Sequence, residues 1–435
     1  MEDLKMKQKI TKDFLAFLEK ATTPYQTVLE YERRLINAGF VRLNMEESWS
    51  MSPMGRYYVI PYDSVLVAFT VANEMHNLDR IKIIASHNDS PCFKIKPNPE
   101  MLDGNILKLN TEVYGGPILN TWMDRTLSIA GKVGLKSQDL FQPCIRYVDL
   151  NKILLTIPNI AIHMNKKVNE GLELNRQVDL LPVLGLWDKD NNKKDYLIQL
   201  ISEALLVQPT DILDFDLYLY IAEKGAVIGA DEQLISAPRL DNLAMVYTSF
   251  EALINSRNMN GIQMAVCFNH EEIGSTTLEG ADSSLLSIIT QRIMMAFNRS
   301  TEQFYRILNN SFMISADGAH GTHPNAPEKG DPTNEVRLNE GVTIKSSAKK
   351  HYSTDCESAA VFLQLCEKAG IKVQRFVNRS DLVGGKTLGP ITSKYLPIRT
   401  VDVGIPMWAM HSAREVIGID DFVDSLSVFK LFYNS

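Results

Sequence analysis

Cysteine is scarce in this sequence: five among 435 residues (Cys92, Cys144, Cys267, Cys356, Cys366), none of them in a C-x-x-C spacing. An odd, scattered set is neither a disulfide framework nor a thiolate zinc site, and a reducing cytoplasm is the expected home. Long apolar runs are missing as well. The longest nearly uncharged stretch, Ile153 to Met164, contains Pro158 and His163 and falls short of the roughly 20 apolar residues a membrane helix needs. The start, Met1-Glu2-Asp3, alternates charge, with no apolar core followed by a small-residue cleavage site, so no export signal is expected. Positive charge is not in excess. Lys plus Arg number 45 against 52 Asp plus Glu, a formal net charge of -7, which argues against nucleic acid or an anionic membrane as partner.

What remains is ordinary globular composition, 45% apolar and 22% charged, long enough for two or three domains at about 150 residues each. The first forty residues pattern as two helices, the second opened by Thr23-Pro24 and closed by Gly39, since Thr can cap, Pro suits the first turn and Gly the residue past the end. Strand-like alternation begins at Tyr57 and ends in Ile81 to Ser86. After Pro97 come short turn-bounded apolar runs at Asn110 to Tyr114, Ile145 to Val148, Ile153 to Ile162 and Leu217 to Ile221, with a helix near Tyr196 to Val207. From Pro238 the pattern alternates again: helix 242–255, strand 262–268, helix 284–297, strand 312–315, helix 356–369, strand 373–377. Alternation of that kind predicts an α/β protein with a mixed, partly parallel sheet flanked by helices. Residues 1–98 and 232–435 are expected to form it, and 99–231 to be an inserted β-rich domain.

Only eight histidines are present, and several stand beside carboxylates just after an expected strand, where ligands collect in open α/β sheets. His87-Asn88-Asp89 follows Ile81 to Ser86, a spacing in which a ring nitrogen can bind metal while the carboxylate fixes the tautomer. Glu271 and Glu272 follow the strand ending at Phe268, Asp317 the strand ending at Ser315, and Asp241 opens a helix. His411 closes the apolar stretch Thr400 to Met407. Taken singly, each has a plainer explanation: a polar strand end, a solvated helix start, an Asp-Gly turn, an N-cap, a structural histidine. Taken together, carboxylates and imidazoles recurring at one sheet edge make a site for two borderline-soft divalent metals, and zinc accepts both donor types.

Read as a whole, the chain resembles the aspartyl aminopeptidase family of dinuclear zinc metallopeptidases, bacterial branch. The stretches that carry the likeness are Ala85 to Pro91, Asn120 to Arg125, Leu127 to Gly131, Pro238 to Asn242, His270 to Ser275 and Ser315 to His320. Pro324-Asn325, Glu328-Lys329, Val403 to Pro406 and Met410 to Glu415 complete them. The resemblance implies the zinc exopeptidase fold, with the insertion mediating dimerisation and assembly into a tetrahedral homododecamer. It implies two zinc ions, replaceable by Mn2+ or Co2+: Asp241 bridging both, His87 and Asp317 completing one site, Glu272 and His411 the other, with Asp89 orienting His87. Glu271 would be the general base. A cis peptide bond between Asp241 and Asn242 is implied too.

For substrate contact the likeness points to His163, His320, Lys345 and Tyr352, with His163 reaching a neighbouring subunit's site and Lys345 meeting an acidic first side chain. The expected activity is removal of the N-terminal residue, Asp or Glu by preference, from peptides with a free amino terminus. The alternatives are the same centre with broad or non-acidic specificity, and a self-assembling cargo or scaffold particle whose peptidase activity is incidental.

Overall fold

The computed structural model describes residues 2–73, 78–186, 195–382 and 384–435. The chain forms two compact units, one made of Met1–Asp89, Gly225–Met410 and Glu415–Ser435, the other of Ser90–Lys224 and His411–Arg414. It therefore leaves the first unit at Asp89, before the change of texture at Pro97, and rejoins it at Gly225.

In the first unit nine strands run in the order Val41–Arg42, Arg56–Tyr62, Val65–Val71, Ile262–Phe268, Ile81–His87, Phe312–Ala316, Arg399–Gly404, Val342–Lys345, Val373–Phe376. The four at the centre, Ile262–Phe268 to Arg399–Gly404, are mutually parallel, so their carboxyl ends share one edge. Val65–Val71 and Val342–Lys345 flank them antiparallel, and the sheet is mixed as the alternation predicts. Successive strand side chains point to opposite faces, and the core divides accordingly. Ile84, Ala265, Cys267, Ile314 and Val401 pack on one side with the helices Glu2–Lys20, Pro24–Asn37, Leu240–Ile254, Cys356–Ala369 and Ile419–Asn434. Ile83, Met264, Val266 and Met313 pack on the other with Leu285–Ala296 and Thr301–Asn309.

Local chemistry sets the helix ends. Asp355 accepts from Ser358 N at 2.7 Å in a capping box before Cys356–Ala369, and Gly370 closes that helix in the left-handed region at φ +69°. Among the helices that escape the sequence pattern are Thr301–Asn309 and Ile419–Asn434. The buried face of the second mixes Phe422, Val428, Phe429 and Tyr433 with Asp421 and Ser425, which blurs its apolar stripe. A separate five-stranded sheet, ordered Ala226–Ile228, Leu234–Ala237, Glu415–Gly418, Pro406–Trp408, Ala319–His320, belongs to the same unit.

The second unit is built on a six-stranded antiparallel sheet, ordered Cys144–Asp149, Leu127–Leu135, Ile212–Ile221, Cys92–Asp103, Ile106–Tyr114, Val183–Leu186. The helix Tyr196–Leu205 lies where the sequence places one. The run Ile153 to Ile162 does not form the expected strand. It makes only isolated bridges at Leu155 and Thr156, Pro158 has no N–H for a ladder, and Ile153, Ile160 and Ile162 are exposed. Among the described residues, no helix is long and apolar enough to cross a membrane.

Candidate metal centre

Polar residues collect where the parallel strands end. His87 is the last residue of Ile81–His87 and is 1% exposed. Its Nδ1 lies 3.1 Å from the Asp89 carbonyl oxygen and 3.3 Å from Asp89 Oδ1, which gives Nδ1 the donor role and turns Nε2 toward three carboxylates. Nε2 stands 3.4 Å from Asp317 Oδ1, 3.8 Å from Asp241 Oδ1 and 4.0 Å from Glu271 Oε2.

Each carboxylate arrives by its own local device. Asp89 accepts from the backbone N–H of Glu271 at 3.2 Å and of Glu272 at 3.1 Å, tying the turn after Ile262–Phe268 to the end of the neighbouring strand. The same turn is held from behind by Asn269, which donates to Ser64 Oγ and to Glu279 Oε2, both at 2.9 Å. His270, the histidine beside this acidic pair, faces away, its Nδ1 2.8 Å from Thr277 Oγ1. Asp241 sits at the start of Leu240–Ile254, where it and Asn242 depart from helical geometry and share a cis peptide bond, as the resemblance implies. Its N–H donates to Glu415 Oε2 at 2.9 Å. Asp317 follows Phe312–Ala316, and the end of Arg399–Gly404 passes so close that a Cβ on Gly404 would stand 2.1 Å from the Asp317 carbonyl oxygen.

Ligand atoms of His87, Asp241 and Asp317 lie within 4.8 Å of one another, as do those of His87, Glu271 and Glu272, and one oxygen each of Asp241 and Glu272 comes within the same reach. An imidazole with several carboxylates and no thiolate is the donor set of zinc and similar divalent ions, so the residues present fit such a group. His411 belongs to the second unit, where its Nδ1 is 3.1 Å from the Gly116 carbonyl oxygen.

Electrostatics reinforce the reading. Burial pushes the Glu271 carboxyl up, and Asp317, Glu272 and Asp89 add to it against the pull of His87, so it stands well above the usual carboxylate range. Burial works against a charged His87, but the hydrogen bonds to Asp317 and Asp89 and the charge of Glu271 outweigh it and raise the imidazole well above its ordinary value. A metal cation competes for the same nitrogen, since ligation requires the neutral ring. Asp317 is moved the other way: burial would raise it, but the Lys345 ammonium and His87 hold it below its ordinary value.

Of the residues named for substrate contact, Lys345 and Tyr352 come together. Lys345 is 2% exposed, donates to Asp317 Oδ2 at 3.0 Å and to the Gly318 carbonyl oxygen at 2.9 Å, and lies 5.3 Å from the Tyr352 ring centre. Tyr352 meets Phe376 edge-on, and Phe376 meets His320 in turn, with ring centres 6.3 and 5.8 Å apart. His163 is exposed in the second unit. Two carboxylates went unread in the sequence. Asp402 is fully buried in Arg399–Gly404 within an apolar run, and Glu415 anchors the backbone of Asp241. A single acid inside an otherwise apolar strand is the signal that would have found Asp402.

The family described as aminopeptidase I zinc metalloprotease (M18) matches residues 17–433. A protein of Clostridium novyi (strain NT), described as a probable M18 family aminopeptidase 2, is 47% identical over 432 residues, covering 99% of this chain and 100% of that protein. Among solved structures, the cryo-EM structure of the Ape4 and Nbr1 complex gives a TM-score of 0.94 at 32% identity, over 98% of this chain and 86% of that one. The mApe1 dodecamer of S. cerevisiae gives 0.85 at 25% identity, over 98% and 96%.

Proposed function

The chain belongs to the aminopeptidase I zinc metalloprotease (M18) family, and from that premise we propose that it removes the N-terminal residue from peptides, Asp or Glu by preference, at a centre of two zinc ions. The observation that carries this reading is the cluster of His87, Asp241 and Asp317 with Glu271 beside it, at the carboxyl ends of parallel strands. Asp241 would be shared by both ions, His87 and Asp317 would complete one set, and Glu272 with His411 the other. Mn2+ or Co2+ would suit the same donors. Such ions would supply Lewis acidity, lowering the pKa of the attacking water and polarising the scissile carbonyl.

Glu271 then takes the proton of the attacking water and passes it to the leaving amine. Its environment suits both halves of that task. A carboxyl raised by burial and like charges is a stronger base than an exposed one, and once protonated it is an acid poised nearer neutrality. Asp89 holds the His87 ring and the backbone of Glu271 and Glu272 together, so ligand and base keep a fixed relation. Lys345 has two of its N–H donors committed to Asp317 and Gly318; the third would meet the carboxylate of an acidic first residue, with Tyr352 and His320 lining the approach.

Self-association belongs to the same reading. Exposed Leu140, Phe141, Ile162 and Met164 leave the second unit with apolar surface to cover, and the similar mApe1 is a dodecamer. A tetrahedral homododecamer built from dimers, with His163 supplied to a neighbouring copy and the particle kept in the cytoplasm, is the arrangement proposed.

One experiment tests the catalytic claims together. Metal-free protein is titrated with Zn2+ and assayed on a panel of aminoacyl substrates. Activity should return in step with two equivalents and be highest for Asp and Glu. Activity that survives chelation would overturn the metal mechanism, and full recovery at one equivalent would overturn the second ion. A neutral residue turned over fastest would replace the acidic preference with broad specificity.

A further inference from the structure

Asp402 has no part in the metal chemistry, yet it is completely buried and gathers two segments of chain that are distant in sequence. Its Oδ2 accepts from Ser353 N at 2.5 Å, its Oδ1 from Thr387 Oγ1 at 2.5 Å, and its own N–H donates to Thr354 Oγ1 at 2.9 Å. Ser315, its partner in the adjacent parallel strand, bonds to the same carboxylate and accepts from Gly389 N at 3.1 Å. The two segments also meet each other, Thr387 N donating to the His351 carbonyl oxygen at 3.3 Å. The fit is close: a Cβ on Gly389 would stand 2.7 Å from both Asp402 Oδ2 and Ser353 Oγ.

The first segment carries Tyr352, one residue before Ser353, and the Tyr352 ring lies over the Lys345 ammonium. The Asp402 charge also bears on Lys345 from the neighbouring antiparallel strand. A burial of this depth is costly for a carboxylate unless hydrogen bonds satisfy it, and here one donor from each of the two segments does so, together with Ser315 from the adjacent strand. We infer that Asp402 is a positioning residue for substrate binding: it latches the segments around Ser353 and Thr387 to the sheet and so holds Tyr352 over Lys345.

This inference rests on the aminopeptidase reading, in which Lys345 and Tyr352 face the substrate. Its effect should fall on binding, leaving metal and chemistry in place. Asp402→Asn keeps the shape but removes the charge and one acceptor. It should raise KM for N-terminal Asp and Glu substrates about 10-fold, the scale of one hydrogen bond to a charged group, with kcat and zinc content unchanged. Thr387→Val removes a single hydroxyl at constant shape and should raise KM in the same direction by about 3-fold, and Thr387→Ser should restore it. If Asp402→Asn does not fold, the two Thr387 variants decide alone. Loss of zinc, a fall in kcat at constant KM, or kinetics equal to wild type would each overturn the inference. A wild-type protein with no metal-dependent peptidase activity would overturn the functional reading instead, and the controls separate the two failures.

Discussion

Two clusters of charge, each with buried members, lie in the first unit, and they are built on opposite plans. Around Arg34, three cations (Lys20, Arg33, Arg34) meet three carboxylates (Asp13, Glu30, Glu251). Arg34 reaches all three acids, at 2.7 Å to Asp13, 3.0 Å to Glu30 and 2.9 Å to Glu251. Its guanidinium also lies within 6 Å of the ring centres of Phe17, Tyr31 and Tyr247. Charges there cancel within hydrogen-bond distance. Around His87, five carboxylates (Asp89, Asp241, Glu271, Glu272, Asp317) face one imidazole and one ammonium, and the closest contact of Nε2 with a carboxylate is 3.4 Å. A balanced cluster fastens helices together, whereas one left with an excess of like charge around a gap is built for a cation. Burial alone does not tell them apart; the count of opposing charges and the gap between them do.

The largest expected effect comes from removing the centre of the unbalanced cluster. Asp241→Ala should lose both metals and all peptidase activity together, since the shared carboxylate serves both ions; elemental analysis showing two ions retained would break the assignment. Next, Glu271→Gln should keep its metal and lose turnover by about 10²–10⁴-fold, the range for a general base. Metal lost alongside activity would move Glu271 into the ligand set.

In the balanced cluster, Arg34→Met leaves Asp13 and Glu251 without the cation that bonds to them, removes one of the three cations around Glu30, and should cost about 3 kcal/mol of stability, the lower end for breaking a buried pair, read by denaturant unfolding. Peptidase activity of the folded fraction should not change. A variant as stable as wild type would show that the charge balance there is not structural. Smaller still, Lys345→Met should lower kcat/KM for N-terminal Asp and Glu by about 1.5–3 kcal/mol, the scale of hydrogen bonds to charged groups, with neutral residues little affected. If both classes fall equally, Lys345 serves Asp317 and not the substrate.

The smallest effect is one of pH. Burial raises Asp13 and Glu30, but their hydrogen bonds to Arg34 and Arg33 outweigh it and hold both below their ordinary range. A depressed carboxyl stabilises the fold above its unfolded pKa of about 4, and that contribution disappears as pH falls through the depressed value. The Tm difference between wild type and Arg34→Met should therefore shrink between about pH 5 and pH 2. A difference that stays constant would remove the electrostatic account.

Much of the centre was legible before any fold was known. His87, Asp241, Glu271, Glu272 and Asp317 each interrupt a strand or open a helix, and a polar residue at the end of an apolar run is conspicuous in one dimension. The parallel core could be read from alternating periods, because a strand buried on both faces needs a near-continuous apolar run such as Met264 to Phe268. Ile153 to Ile162 has the same apolar texture and forms no strand, since composition does not supply a partner for its backbone. Asp402 could not be read as a latch, because its hydrogen-bond partners sit at Ser353, Thr354 and Thr387, far from it in sequence.

The sequence by itself therefore determined the donor types and the fact that they fall at element ends, which local hydrogen bonding and hydrophobic periodicity dictate residue by residue. Only the tertiary structure decided how those ends converge: that Asp89 would fasten His87 to the Glu271 turn, that His270 would turn outward to Thr277, and that the Lys345 ammonium would rest on Asp317. Such pairings depend on which strands become neighbours, and strand order in a sheet is fixed by the burial of whole faces, a property of the entire packed chain that no local segment contains.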